Sequence, residues 1–357
     1  MKRYIVVVIF QQRYNVMNLY TRCLFFIVAV GGSVSVLAQT IPYKQINATP
    51  LLLNPALTGG FDGNIRGNIL YRSMWAGAEM PFSSLHASAD APVYTGKKGD
   101  YFGAGLAITQ SKAGDGILNN VNGVVGASYH KRFGSDSARA KGMGSELAIG
   151  LQGGYAQNYL DMSRMYFTGS STTPTFVLGP GNSVSSYLVN AGITYSRSVS
   201  KDIRYIFGVS VNNLNGSRDA FLARERSLAG LDRRYTFLAG CEIAAGARLL
   251  VRPALMYSHH ERYYPEVRHM SYIAGSEFLY GVDPKTSLFC GLWYGNGEMM
   301  TVSAGVKTGA FRLGLGYDYN ISAVNVASSG TGGFEIALTY INPCAKGARR
   351  NLPCLRF

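Results

Sequence analysis

Residues 311–319 place Phe311, Leu313, Leu315, Tyr317 and Tyr319 on one parity and Arg312, Gly314, Gly316 and Asp318 on the other. A strict period of two marks an extended strand with one apolar and one polar face. The pattern recurs. In 299–307, Met300, Val302, Ala304 and Val306 alternate with Thr301, Ser303, Gly305 and Lys307. In 186–196, Tyr187, Val189, Ala191, Ile193 and Tyr195 alternate mainly with small or polar residues. In 204–212, Tyr205, Phe207, Val209 and Val211 oppose Ile206, Gly208, Ser210 and Asn212. Leu249, Val251, Leu255 and Tyr257 oppose Arg248 and Arg252, and the last run sets Phe334, Ile336, Leu338 and Tyr340 against Glu335, Ala337 and Thr339. An Arg or Lys facing lipid at mid-bilayer would cost about 2–4 kcal/mol. The aliphatic faces are therefore expected to meet lipid and the Gly/Ser/Asn/Arg faces to look inward.

Composition fits this pattern. The 357 residues are 15% charged and 47% hydrophobic, with 43 Gly and 24 Tyr. A soluble domain carries about 25% charged residues, and a chain this apolar is not disordered as a whole. No apolar run of about 18 residues follows residue 38, which disfavours helical spans. The expected fold is all-β: an outer-membrane antiparallel β-barrel of about 14 strands, with short periplasmic turns and longer extracellular loops. Strands are expected to start near Gly63, Ser83, Tyr101, Asn120, Glu146, Ser186, Arg204, Arg234, Ala247, His269, Thr286, Met299, Phe311 and Gly332. Connections at 245–246, 281–285 and 309–310 are tight, and those at 159–185, 215–233, 258–268 and 320–331 are long. The connections at 133–145 and 295–298 fit that alternation less well. Tyr71, Trp75, Tyr195, Tyr235, Tyr257, Tyr280, Trp293, Tyr294, Tyr317, Tyr319 and Tyr340 are expected in girdles at the headgroup level. The competing fold, a soluble β-sandwich, should carry more surface charge.

The first 38 residues read as a signal peptide: Arg22, an apolar stretch from Leu24, then Val36-Leu37-Ala38 before Gln39. Met17 is an alternative start, and an uncleaved anchor helix is the competing reading. Cleavage after Ala38 removes Lys2, Arg3, Arg13 and Arg22 and no acid, so the formal charge of +14 falls to +10. Residues 39–62 are expected to form a turn-rich periplasmic lead-in. Pro55 fixes its φ and lacks a donor there, and the segment could cap the periplasmic mouth or start the first strand. The barrel is expected over 63–342, with a basic periplasmic tail at 343–357.

Four cysteines follow the signal: Cys241, Cys290, Cys344 and Cys354. An oxidising periplasm would permit a Cys344–Cys354 disulfide. The tight spacing of a zinc site is missing. His259-His260 with Glu261 lies in an expected outer loop, where adjacent side chains diverge. No G-x-S-x-G elbow, P-loop or H-E-x-x-H occurs. The sequence thus suggests neither an enzyme, nor a cofactor, nor a metal. Its basic residues are scattered rather than gathered on a helix, so nucleic acid is not the expected partner. Lipopolysaccharide phosphates are a simpler match.

Several motifs carry a resemblance. Asn54-Pro55-Ala56 is followed by Arg66 and by Tyr71-Arg72-Ser73-Met74-Trp75, then Phe82 and Ser88-Ala89-Asp90. Asn213-Leu214-Asn215 precedes Arg233-Arg234-Tyr235 and Gly240. Gly314-Leu315-Gly316-Tyr317-Asp318-Tyr319-Asn320 precedes Gly333-Phe334-Glu335-Ile336, and the chain closes on Cys344 and Pro353-Cys354-Leu355-Arg356-Phe357. Together these resemble the PorP/SprF family of type IX secretion system membrane proteins, although the usual ending is Cys-Pro-Arg-Phe.

The resemblance implies an outer-membrane barrel that supports export or surface attachment of cargo proteins, including gliding adhesins, in Bacteroidetes-type bacteria. It also implies periplasmic secretion components and a peptidoglycan-binding lipoprotein as partners. The residues themselves suggest where partners would touch: Asn54 and Pro55 in the lead-in, and Tyr71, Arg72 and Trp75 if not structural in the wall. The others are Arg224 and Arg226, in an outer loop that could equally meet lipopolysaccharide, and Arg349 and Arg350, in a tail that could equally be a solvated end. Tyr71-Arg72-Trp75 could also pack the guanidinium against a ring. A diffusion porin for small solutes is the alternative; its lumen would be open, whereas an N-terminal segment could equally fill it.

Overall fold

The computed structural model describes residues 43–74, 81–94, 99–114, 117–134, 143–161, 183–216, 233–261, 269–295, 299–321 and 332–343. Among them, alternating segments form fourteen antiparallel strands. These are β1 (Ile65–Met74), β2 (Phe82–Tyr94), β3 (Tyr101–Ala113), β4 (Leu118–Phe133), β5 (Gly144–Leu160), β6 (Ser183–Ser198) and β7 (Ile203–Asn212). Then come β8 (Arg234–Ala245), β9 (Leu249–His260), β10 (His269–Gly281), β11 (Thr286–Gly295), β12 (Met299–Thr308), β13 (Phe311–Asn320) and β14 (Gly333–Asn342). Each strand pairs with its sequence neighbours, and β1 pairs with β14 to close the barrel, Gly67 opposite Tyr340 and Arg72 opposite Glu335. Closure leaves no free sheet edge, the condition for crossing a bilayer with strands. Every expected strand start lies within three residues of an observed one.

The wall faces are those the alternation predicts. Phe311, Leu313, Leu315, Tyr317 and Tyr319 point outward and are exposed, as are Met300, Val302, Phe334, Ile336 and Leu338. Thr301, Ser303, Asp318 and Glu335 point inward and are buried. The inner face is less polar than expected. Leu70, Leu188, Ile206, Leu238, Met256, Ile273, Phe289 and Trp293 are all buried within. Trp293, expected in the outer girdle, is among them. Leu292 and Tyr294 beside it are exposed, and adjacent strand residues cannot share a face.

One end carries the tight turns. Gly246 and Gly309 there adopt φ +84° and +56°, which a Cβ would disfavour. The β10–β11 turn is held by the Asp283 carboxylate, which accepts the Lys285 and Thr286 N–H groups at 2.7 and 2.8 Å. The other end carries the longest connections, 161–182 and 213–233, although β3 and β4 join there through only 114–117. Strands β4, β5 and β6 are 16, 17 and 16 residues long. About 9–11 residues cross the hydrocarbon, so these three extend past it, and polar Gln157 and Ser185 take over their outward face.

Residues 43–61, expected as a periplasmic lead-in that could cap the mouth or fill the lumen, lie inside the barrel. They form a 3-10 turn (Ile46–Ala48), a one-turn helix α1 (Pro50–Leu53) and a second 3-10 turn (Pro55–Leu57). The apolar inner-wall residues exist to meet this plug. Ile46 and Leu57 pack with Ile206, Leu238, Met256, Ile273 and Trp293. Leu51 packs with Ala107, Val124, Ala156 and Leu188, while Tyr43 and Ala48 pack with Leu70 and Ala337.

Candidate functional site: the plugged lumen

A short helix leaves its last carbonyls without intrahelical partners. The wall supplies donors for those of α1. Gln152 Nε2 reaches the Leu51 carbonyl at 3.0 Å, Arg234 Nη2 reaches Leu52 at 3.2 Å, and Ser210 Oγ reaches Leu53 at 2.8 Å.

Asn54 then cross-links plug and wall. Its Nδ2 donates to the carbonyls of Ile193 and Val209 at 3.2 and 3.1 Å, while its Oδ1 accepts the Ala56 N–H at 2.9 Å and caps the second 3-10 turn. The wall is glycine where this element passes. A Cβ on Gly192 would stand 2.0 Å from Asn54 Oδ1, and one on Gly150 would stand 2.3 Å from the Pro55 carbonyl carbon. On Gly103 it would stand 2.1 Å from the Thr58 oxygen. Three different strands, β3, β5 and β6, thus give up a side chain to admit residues 54–58.

The next turn is clasped by charge. Arg66 grips Asp90 through two bonds of 2.9 and 2.7 Å, and Asp90 also accepts the Gly59 N–H at 2.7 Å. The same guanidinium donates to the Leu57 carbonyl at 3.2 Å and lies 4.6 Å from the centre of the Phe61 ring. Ser128 Oγ and His130 Nε2 both converge on the Thr58 carbonyl, at 2.6 and 2.9 Å. His130 Nδ1 faces Glu146 at 2.9 Å, Arg132 Nε donates to the other Glu146 oxygen at 2.9 Å, and Tyr101 stacks on the imidazole at 4.3 Å. Ser128, His130 and Glu146 have the contacts of a hydrolytic relay, but the relay ends on a plug carbonyl, so here it acts as a latch.

The start of the plug is held differently. The two oxygens of Glu335 accept the Lys44 and Gln45 N–H groups at 2.8 and 3.1 Å. Arg72 pairs with both Glu335 and Asp318, and Asp318 also accepts from Thr301. Asn47 donates to Glu277 at 2.9 Å, a carboxylate shared with Arg252 and Arg312. Arg252 Nε also lies 2.9 Å from Glu242, though not aligned for a hydrogen bond. Lys44 is only 4% exposed; burial, then the nearby Arg72 charge, lowers its ammonium from the ordinary 10.5 to about 8.

Of the residues singled out from sequence, Asn54, Pro55 and Arg72 all lie in this lumen, Asn54 and Pro55 against β5–β7 and Arg72 against β13 and β14. Tyr71 does not: it points outward and is exposed, so the expected stacking of Arg72 on a neighbouring ring gives way to the Asp318–Glu335 pairing. Trp75, Arg224, Arg226, Arg349 and Arg350, and the Cys344–Cys354 pair, lie outside the described residues. Sequence reasoning overlooked Asp90, His130 and Glu146 as plug contacts and the glycines at 103, 150 and 192 as its bed. Charged residues and glycines recurring on the inward parity of strands were the available signal.

A model of the type IX secretion system membrane protein PorP/SprF family matches residues 35–340. The chain belongs to that family. Its PorP/SprF barrel therefore sits in the outer membrane. No curated protein matches the chain. Among solved structures it is similar to the toluene transporter TbuX of Ralstonia pickettii, at 12% identity over 82% of this chain and 92% of that one, TM-score 0.49. It is likewise similar to the toluene transporter TodX of Pseudomonas putida, at 12% identity over 84% and 94%, TM-score 0.46. The lumen of this PorP/SprF barrel is occupied by its own residues 43–60, which precede β1.

Proposed function

We propose that this PorP/SprF protein is a non-enzymatic accessory of type IX export that anchors partner proteins at the outer membrane. The observation that carries this reading is the plug. Side chains of β1–β11 and β14 grip residues 43–60, leaving the ends of the barrel as the surfaces for partners. Periplasmic secretion components and a peptidoglycan-binding lipoprotein would meet the turn end and the tail with Arg349 and Arg350. Exported cargo, gliding adhesins among it, would meet the long connections, where Arg224 and Arg226 fall. The filled lumen counts against the porin alternative.

The test is co-purification from gently solubilised outer membranes, comparing the intact chain with one truncated after Pro343. Recovery of secretion components or a surface adhesin supports anchoring, and its loss on truncation assigns the contact to the tail. A chain that recovers no partner and conducts freely as purified would end this reading.

A further inference from the structure

The two halves of the plug are built to different tolerances. Residues 54–58 pass over wall glycines through their backbone at Gly103 and Gly150 and through the Asn54 side chain at Gly192, whereas residues 43–48 meet Gly314 only through the side-chain end of Gln45. The wall also donates to the carbonyls of Leu51, Leu52, Leu53, Leu57 and Thr58. Residues 43–48 hang mainly on two wall carboxylates, Glu335 and Glu277, with Tyr43 touching Ser84. Both carboxylates keep wall partners without the plug: Arg72 for Glu335, and Arg252 with Arg312 for Glu277. Leaving a buried charge unpaired is what makes breaking such a site costly, and withdrawal of 43–48 leaves neither carboxylate unpaired.

Packing differs in the same sense. Two small cavities, each about the size of a water molecule or less, adjoin the Ile46–Asn47 turn. One is bounded by Gln45, Asn47, Glu277, Arg312 and Trp293, the other by Ile46, Arg204, Ile206, Glu242 and Arg252. Close-packed protein interiors carry few such voids. Thr49, between the halves, is non-helical at φ −130° and ψ 43°. Lys44 is buried where water would solvate its charge better.

We propose that residues 43–48 form a releasable arm, and that its departure opens a hydrophilic path for small ions and solutes along β7–β13 while residues 50–60 stay in place. Barrels of about eight strands can be filled by their own side chains, whereas those of about 16–18 leave an aqueous channel. With fourteen strands, the space left by the arm fills with water. Arg204, Glu242, Arg252, Glu277 and Arg312 would line it. The arm's apolar pins are Ile46, held by Trp293, Ile206 and Met256, and Tyr43 with Ala48 against Leu70 and Ala337.

The experiment is conductance of the full-length protein in planar bilayers with KCl. Glu335→Gln with Ile46→Ala weakens one polar and one apolar attachment while Arg72 keeps Asp318. The expected result is a rise in conducting events of at least about tenfold over the parent. A tether closes the path again: Gln45 Cγ lies 3.9 Å from where a Cβ on Gly316 would stand, so Gln45→Cys with Gly316→Cys can cross-link arm to β13. In a background with Cys241, Cys290, Cys344 and Cys354 replaced by Ser, oxidation of this pair should abolish the gained conductance and reduction restore it. Equal conductance in both redox states overturns the proposal, as does silence in a variant that keeps folded, heat-modifiable gel mobility.

Amide exchange on the unaltered protein gives an independent reading should the variants fail to fold. Amides of 44–48 should exchange at least about a hundredfold faster than those of 54–60. Equal protection of the two halves overturns it. Neither readout depends on the anchoring partners, so this proposal and the proposed function can fail separately.

Discussion

Gly150 and Gly192 are directly opposed on β5 and β6, and both face the plug. A methyl group at Gly150 would overlap the Pro55 backbone, and one at Gly192 would overlap the Asn54 side chain, which three hydrogen bonds hold in place. Gly192→Ala is expected to destabilise the barrel by about 1–3 kcal/mol. Gly67→Ala and Gly153→Ala, whose added atoms would meet nothing within 4 Å, should change little. Urea unfolding in detergent micelles separates the two classes, and equal effects would remove the glycine bed as an explanation. Lys44 gives a pH dependence. Its docked value of about 8 lies below the solvated 10.5, so the docked arm binds fewer protons between the two. Docking should therefore strengthen as pH rises from about 8 to 10.5, by on the order of 3 kcal/mol in all. The charges facing Lys44 are Arg72, Asp318 and Glu335. Trp293, packed with Ile46, reports the change: its emission should shift to the blue over that window, and Lys44→Met should remove the shift.

At the scale of elements, strands are legible, whereas the plug is legible only as one of two alternatives for the lumen. Alternation over eight to ten residues fixes both the existence and the facing of a strand, as in β12, β13 and β14, because its period is set by the pleat alone. Residues 43–60 offer no period. Pro50 and Pro55 announce turns, but what holds α1 is a set of wall donors drawn from β5, β7 and β8, far away in sequence. Trp293 was misassigned because an aromatic near a strand end was weighed by type. Its parity, set by exposed Leu292 and Tyr294, points the other way. Trp293→Ala should cost about 3–5 kcal/mol in the same unfolding experiment. Tyr294→Ala, on the lipid side, should cost clearly less, and the reverse order would put the girdle reading back. Arg72 belongs at this scale too, since it ties β1 to β13, β14 and the arm. Arg72→Met takes the guanidinium from two buried carboxylates and should destabilise by about 3–5 kcal/mol.

For the molecule as a whole, wall and plug share one interior. The three apolar clusters each draw residues from both, and the sharpest contacts of residues 54–59 are with β2–β7. Thermal unfolding of the intact chain in detergent should therefore run as one transition by near-ultraviolet dichroism and by gel mobility. A separate early transition for the plug as a unit would contradict a common core. The fold class and the outer-membrane address could be read from the chain because they depend on composition and period. The contents of the lumen could be read only as open or filled, because they depend on which inward glycine faces which plug atom.

The plug runs without a break into β1, and β1 is the strand on which the last strand, β14, must close. Residues 54–58 fit their groove to within an atom's width, so they cannot be threaded through a finished ring. The order of construction follows from this. The interior has to be laid down while the sheet is still open, and the seam is sewn last, around a lining already in place. A copy that closes without its lining would be a different object, with the same β1–β14 seam around an empty interior.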